Sequence, residues 1–257
     1  MPSDEEVRQS FARQVALFSG TDSPFAGRGS ANRSPSSWVE PLDEHMIVLD
    51  VACGAAHVAE ELAPQVRQVV GLDLTPALLR LGADRLRAAG VGNVLLQEGN
   101  AAHLPFVDHS FDLVLCRSAL HHFRSPSEMV RQMARVCRPG GRVVVSDMVA
   151  PNAEVKEAFD DVHRHLDPSH MGVLRGEEIV ELLAHEVGRV SFAELSDPIR
   201  LPLDYIFSDV SDRPWVSAAL AAEAEGGPPS GFLPQVDPET GSLTVSFSSA
   251  TVHANRP

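Results

Sequence analysis

The sequence predicts an α/β fold, a doubly wound and mostly parallel sheet covered by helices on both faces. Three observations carry this expectation. Between Met46 and Val149 short β-rich runs alternate with helical patterns, the rhythm of successive βαβ units. Runs such as "VVGL" and "VLC" are apolar at consecutive positions, which asks for burial on both faces of a sheet. A length of 257 residues with 44% hydrophobic content supplies one large core and scarcely two.

The elements follow in order. Ser3 and Glu6 form a capping-box pattern, and Val7, Phe11, Val15 and Phe18 recur at helical spacing, so the chain opens on an amphipathic helix. Gly20 to Pro41 is rich in Gly, Ser, Pro and Asn and reads as a loop. Residues 1–44 are therefore taken as a helix and loop placed to act as a lid, and residues 45–257 as the main domain. In that domain "MIVLDV", "QVVGLDL", "NVLLQEG", "FDLVLC" and "RVVVSDMV" read as strands, with "VAEELA", "PALLRLGADRLRAAG" and "PSEMVRQMARVC" as intervening helices. Beyond Pro151, helices are expected over Ala153–Leu166 and Gly176–Val187, then a strand at "RVSFAEL". Residues 197–241 read as an insertion holding Tyr205, Trp215, an Ala-rich helix over Val216–Glu225 and the Gly/Pro-rich "GGPPSGFLPQVDPETG". A final strand, "SLTVSFSSATV", closes the chain.

Charge and composition exclude several partners. A formal net charge of -14 repels a nucleic-acid backbone, and no basic stripe interleaved with aromatics reverses that field locally. No apolar run approaches the roughly 20 residues of a membrane helix, and "MPSDEEVRQS" has acids where a signal peptide has basic and then apolar residues. A cytoplasmic protein with no membrane or nucleic-acid partner is expected, its oligomeric state unset. Cys53, Cys116 and Cys137 lack any CxxC pair, so neither a disulfide framework nor a metal site is expected.

In a doubly wound sheet, ligands bind outside the carboxyl ends of the strands. Gly54, after the first strand, lets backbone N–H groups approach a ligand ahead of a helix N-terminus. Asp73, after the second, stands close to the roughly 20-residue offset of an acid that accepts hydrogen bonds from both ribose hydroxyls. Thr75 and Pro76 supply a helix cap and a first helical residue without it. Asn100, after the third, is placed to accept from an adenine amino group, with the Ala101 N–H donating to the ring.

Four stretches, "VLDVACGAAHVAEELA", "VVGLDLTPALLRLG", "QEGNAAHLPFVDHSFDLVLCRSALHHF" and "RQMARVCRPGGRVVVSD", resemble in order and spacing the motifs of class I S-adenosylmethionine-dependent methyltransferases similar to the ubiquinone and menaquinone biosynthesis enzymes. The match covers about residues 46–150, and "DPSH" at Asp167–His170 resembles a small-molecule subgroup. The resemblance implies S-adenosylmethionine as cofactor, a small-molecule substrate, and a Rossmann-like sheet of seven strands whose last is antiparallel and lies between the fifth and sixth. It also implies a cofactor set of Asp50, Ala52, Gly54, Asp73, Leu74, Asn100, Ala101 and Arg117. The chain departs from the family at Ala52 and Ala56, where glycines are frequent, and at Asn100, where an acid is usual. "CRSALHHF" replaces the NPPY or DPPY element of amino-methylating DNA enzymes.

Methyl transfer is an in-line displacement, so the protein has chiefly to exclude water and align the nucleophile. A base is optional, and His121, His122 and His170 are the candidates, with His163 and His165 nearby in sequence. Arg117 suits a carboxylate of the cofactor or an anionic acceptor. Asp112 and Asp147 fit the family pattern without an assigned role. Two other readings stay open. One is a domain that binds the cofactor without transferring methyl, as a cyclase or a silent partner-binding module, which Ala56 and Asn100 leave possible. The other is a nicotinamide-dependent oxidoreductase, against which stand the missing GxGxxG and the pairing of Tyr205 with Asp209 where short-chain reductases have lysine.

Overall fold

A computed structural model describes residues 3–19, 38–203 and 214–257. Five parallel strands form the first part of the sheet: β1 (Ile47–Val51), β2 (Gln68–Asp73), β3 (Val94–Glu98), β4 (Phe111–Arg117) and β5 (Cys137–Val149). Adding β6 (Arg189–Leu195) and the long closing strand β9 (Leu243–Asn255), the spatial order is β3-β2-β1-β4-β5-β9-β6. β9 runs antiparallel to both neighbours, with Val144 opposite His253 and Ala193 opposite Val252. This is the seven-stranded, doubly wound α/β sheet expected, with the last strand between the fifth and sixth.

Alternation along each strand explains why helices cover both faces. Val48, Val69, Leu113 and Val144 point to one side and pack with Val58 and Leu62 of α3 (His57–Leu62) and Leu86 of α4 (Pro76–Ala88). Leu49, Val51, Val143 and Val252 point to the other and pack with Met129 and Met133 of α5 (Pro126–Val136) and Leu183 of α7 (Gly176–Glu186). Each such side chain contributes about 1.5–3 kcal/mol by leaving water. α5 divides clearly into apolar and polar faces, is capped by Ser125, whose hydroxyl accepts from the Glu128 N–H, and starts with Pro126.

The opening helix is split. α1 (Asp4–Arg13) begins with the Ser3–Glu6 capping box as read, but ends at Gln14, and a short α2 (Val15–Ser19) follows. The loop expected from Gly20 falls mostly outside the described residues, as do Tyr205 and Asp209. The region read as an insertion holds more order than its Pro and Gly content suggests. β7 (Ile199–Pro202) and β8 (Gln235–Val236) both pair antiparallel with the first half of β9. α6 (Lys156–Leu166) and α8 (Pro214–Ala224) pack with this hairpin-like arm around Phe159, Phe232, Val216, Leu220 and Val245, a second core beside the sheet. Strands of two to four residues leave too short a period to be seen in sequence. Among the described residues, no helix is long and apolar enough to cross a membrane.

Candidate functional site

A cavity of about 1070 Å³ opens at the carboxyl ends of β1, β2, β3 and β4. Its floor is the turn after β1. Ala52, Gly54 and Ala56 there have φ of 57°, 55° and 59°, the left-handed region that glycine tolerates and alanine does not. Glycine would adopt this backbone freely, and Ala52 and Ala56 hold it under strain. Across the strand gap, Asp73 clamps the turn. Its Oδ2 accepts from the Gly54 N–H at 2.8 Å and its Oδ1 from the Thr75 N–H at 2.7 Å. Burial raises the Asp73 pKa, against these N–H groups, which favour the carboxylate. Thr75 stands at the N-cap of α4, yet its side chain makes no cap hydrogen bond. Contrary to expectation, Thr75 does not relieve Asp73 at the helix end: the carboxylate itself organises this turn.

Asp50, one position before the end of β1, is 2% exposed, and its Oδ2 has no hydrogen-bond partner. Burial, with a smaller push from Asp73, lifts its pKa to about 7, while the guanidinium of Arg117 on β4 pulls the other way. Asp50 and Arg117 both line the cavity, as do Ala52, Gly54, Asp73, Leu74, Asn100 and Ala101. The fold therefore gathers the whole predicted cofactor set on one surface. Asn100 is also held by the protein itself. Its Oδ1 accepts from the Ala102 N–H at 2.8 Å, and its Nδ2 donates to Asp4 Oδ2 of α1 at 2.8 Å. With the Arg8–Glu98 ion pair at 3.2 Å, this contact fastens α1 beside the cavity, and Phe11 and Phe18 line it.

The histidines separate into three situations. His121 and His122, in the turn after β4, line the cavity. The His121 Nδ1 lies 2.6 Å from Asp147 Oδ1, and although burial opposes the imidazolium, this carboxylate prevails and the His121 pKa rises. His122 Nδ1 lies 3.1 Å from Ser169 Oγ, its ring meets Phe11 edge-on at 4.9 Å, and burial and the neighbouring His121 lower its pKa. His170, offered as a third catalytic group, does not line the cavity: it is buried behind it, with Nε2 2.8 Å from Asp160 Oδ1 and its ring stacked on His163 at 3.9 Å. His165 points away and meets Trp215. Asp112 is a strand-joining residue, accepting from the Ile47 N–H and pairing with Arg138.

The DPSH element proves to be wiring between α6 and the β4 turn. Asp167 Oδ1 accepts from the Ser169 N–H and hydroxyl, Ser169 meets His122, and the Met171 N–H donates to the His121 carbonyl. His163 and Asp160 are the buried polar residues of this region that sequence reasoning misses. Their signal was present: both sit among Phe159, Val162 and Leu166 on the buried stripe of α6, where a polar side chain needs a reason.

Residues 49–145 match the family described as a methyltransferase domain. Over 125 residues the chain is 39% identical to an uncharacterized methyltransferase, YcgJ, of Bacillus subtilis, which covers 48% of this chain and 49% of that protein. Over 126 residues it is 37% identical to the demethylmenaquinone methyltransferase of Listeria welshimeri, covering 47% of this chain and 53% of that one. The chain thus spans about half the length of the curated relatives it matches. The crystal structure of the same Bacillus protein superposes on 85% of this chain and 95% of its own with a TM-score of 0.73 at 23% identity, a shared fold.

Proposed function

We propose that the chain, whose residues 49–145 match the methyltransferase domain family, transfers a methyl group from S-adenosylmethionine to a small-molecule acceptor. One observation carries the reading: Asp50 keeps a buried carboxylate oxygen without a partner on the wall of the cavity. An unpartnered buried carboxylate is costly, and a cationic ammonium is the group that would satisfy it. Asp50 would hold the ammonium of the donor and Arg117 its carboxylate. Asp73 would accept from the ribose hydroxyls, with Leu74 and Ala101 against the adenine and Asn100 at its edge. Both Asp73 oxygens already accept one N–H each, which leaves each a further lone pair.

The donor, when bound, supplies a methyl carbon activated by an adjacent sulfonium. What the chain adds is enclosure and alignment. The cavity lies at the top of the roughly 300–1,000 Å³ range of ligand sites, room for donor and acceptor together. Phe11, Phe123, Met148, Leu201 and Phe247 make part of its lining apolar, which favours an acceptor with an apolar body. His121, held by Asp147, and His122 both line this cavity, which supports a role for them in orienting the acceptor. The net charge of -14 speaks against a nucleic-acid acceptor. α1 and α2, which bring Phe11 and Phe18 to the cavity, serve in this reading as part of the cover of the site.

Calorimetric titration with S-adenosylmethionine tests the donor, and mass spectrometry of extracts for a gain of one methyl tests the transfer. Asp73→Ala should weaken donor binding by about 1.5–3 kcal/mol, the scale of hydrogen bonds to a charged group. Unchanged affinity in that variant removes Asp73 from the site. Absence of binding by the native chain removes the proposal.

A further inference from the structure

We propose that His121, His163 and His170 form a three-histidine site for a divalent transition metal of the zinc class, set in the cavity wall with one coordination position open to the acceptor. One ring nitrogen from each residue lies within 4.8 Å of the others, and all three side chains are buried. Bonds of about 2.0–2.1 Å from nitrogen to zinc require the triad to draw in around the ion. The rings already lie close and partly parallel: His163 and His170 are stacked at 3.9 Å, and His121 is 5.6 Å from each.

The partners of the rings fix which nitrogens are available. The Asp147 carboxylate engages Nδ1 of His121, which leaves Nε2 as the nitrogen that an ion would take in exchange for a proton. The Asp160 carboxylate engages Nε2 of His170, leaving Nδ1 as the lone-pair nitrogen, and this buried atom has no hydrogen-bond partner. A metal-bound imidazole characteristically donates its other N–H to a carboxylate in this way. The site has two such carboxylates, one behind each of two rings. Asp147, Asp160 and Asp167 bring negative charge to the same buried region, while Lys156 at 2.8 Å from Asp160 Oδ2 is the cation salt-bridged there.

The position of the triad decides what an ion would do. His121 and His163 line the cavity and His170 does not, so an ion held by the three would sit on the cavity side of His170, within reach of the space left for the acceptor. Three histidines with a free fourth position is the pattern of a Lewis-acid site, suited to polarising an oxygen or sulfur of a small molecule. In this respect the inference deepens the proposed function. The metal site itself stands on the histidines alone and is tested without reference to methyl transfer.

Untagged protein, freed of metal by chelator, is titrated with cobalt(II) chloride alone and followed by visible absorption. One equivalent with the intense bands of four-coordinate cobalt, displaced by zinc chloride, is expected. No saturable uptake at micromolar cobalt, or only the weak absorption of six-coordinate cobalt, overturns the proposal. His163→Phe keeps a ring against His170 while removing the ligand nitrogen, and should lower zinc affinity at least 100-fold with an unchanged circular dichroism spectrum. Zinc binding equal to wild type in that folded variant also overturns it. Asp160→Asn, which keeps the shape of the carboxylate, should weaken zinc by about 10–100-fold. Donor binding by each protein, titrated separately, separates failure of the metal site from failure of the methyl-donor reading.

Discussion

Asp50 concentrates the electrostatics of the site in one side chain. Its pKa of about 7 lies well above the ordinary carboxylate value because burial penalises the charged form more than Arg117 rewards it. The folded state therefore binds a proton that the unfolded state has released between about pH 4 and 7, so this group's contribution to stability falls as pH rises through that window. A bound ammonium reverses the preference. Donor affinity should fall about tenfold for each pH unit below 7, until the lower pKa of the occupied site is reached. Calorimetry from pH 8 to 5.5 measures this slope, and Asp50→Asn should flatten it while weakening binding throughout. A flat profile in the native chain would show that Asp50 does not meet the cation. Ala52 offers a second test at this scale. Its φ of 57° strains an alanine, and its side chain is only partly buried, so Ala52→Gly should raise stability by about 0.5–1 kcal/mol in denaturant unfolding. The same change at Ala56, which is fully buried, would also remove a packed methyl. Of these features the sequence displayed the positions but not the strain. That alanine replaces glycine is visible, whereas a φ is a property of the folded turn.

Among the elements, α4 shows how one glycine sets the distance between a helix and the ligand turn. A Cβ on Gly82 would lie 3.1 Å from Ala55 C and O and from Ala56 Cβ, against backbone held in place by the Gly54–Asp73 hydrogen bond. Gly82→Ala improves helix propensity by about 1 kcal/mol, but overpacking of this kind costs about 1–3 kcal/mol. The net expectation is a loss of about 1 kcal/mol, read from the denaturant midpoint, with weaker donor binding from a displaced turn. A gain in stability would show that the turn yields. α6 makes the complementary case. Phe159, Val162 and Leu166 announce a buried stripe by their spacing, and the helix is readable on that ground. That Asp160 and His163 share the stripe is readable too, but their partners, His170 and His121, lie beyond the helix and cannot be deduced from its period.

At the scale of the molecule, two cores sandwich the sheet and a third lies under the arm formed by β7, β8 and the first half of β9. Phe232 is fully buried there and stacks on Phe159 of α6 with ring centroids 4.2 Å apart and planes 5° from parallel. Phe232→Ala should cost about 3–5 kcal/mol in unfolding experiments, the price of a cavity at a site with no neighbour free to fill it. A cost below about 1 kcal/mol would mean that the arm adds nothing to the stability of the sheet. The sequence by itself determined the doubly wound sheet, its parallel strands and the strand ends where a ligand belongs. Those follow from local apolar periodicity and from turn residues, which act over a few positions. Only the tertiary structure decided the rest: Asn100 fastening α1 through Asp4, the DPSH element wiring His122, and three histidines from two ends of the chain's middle region meeting in one wall. These contacts join residues far apart along the chain, and their geometry is set by how whole elements pack, a property no local pattern encodes.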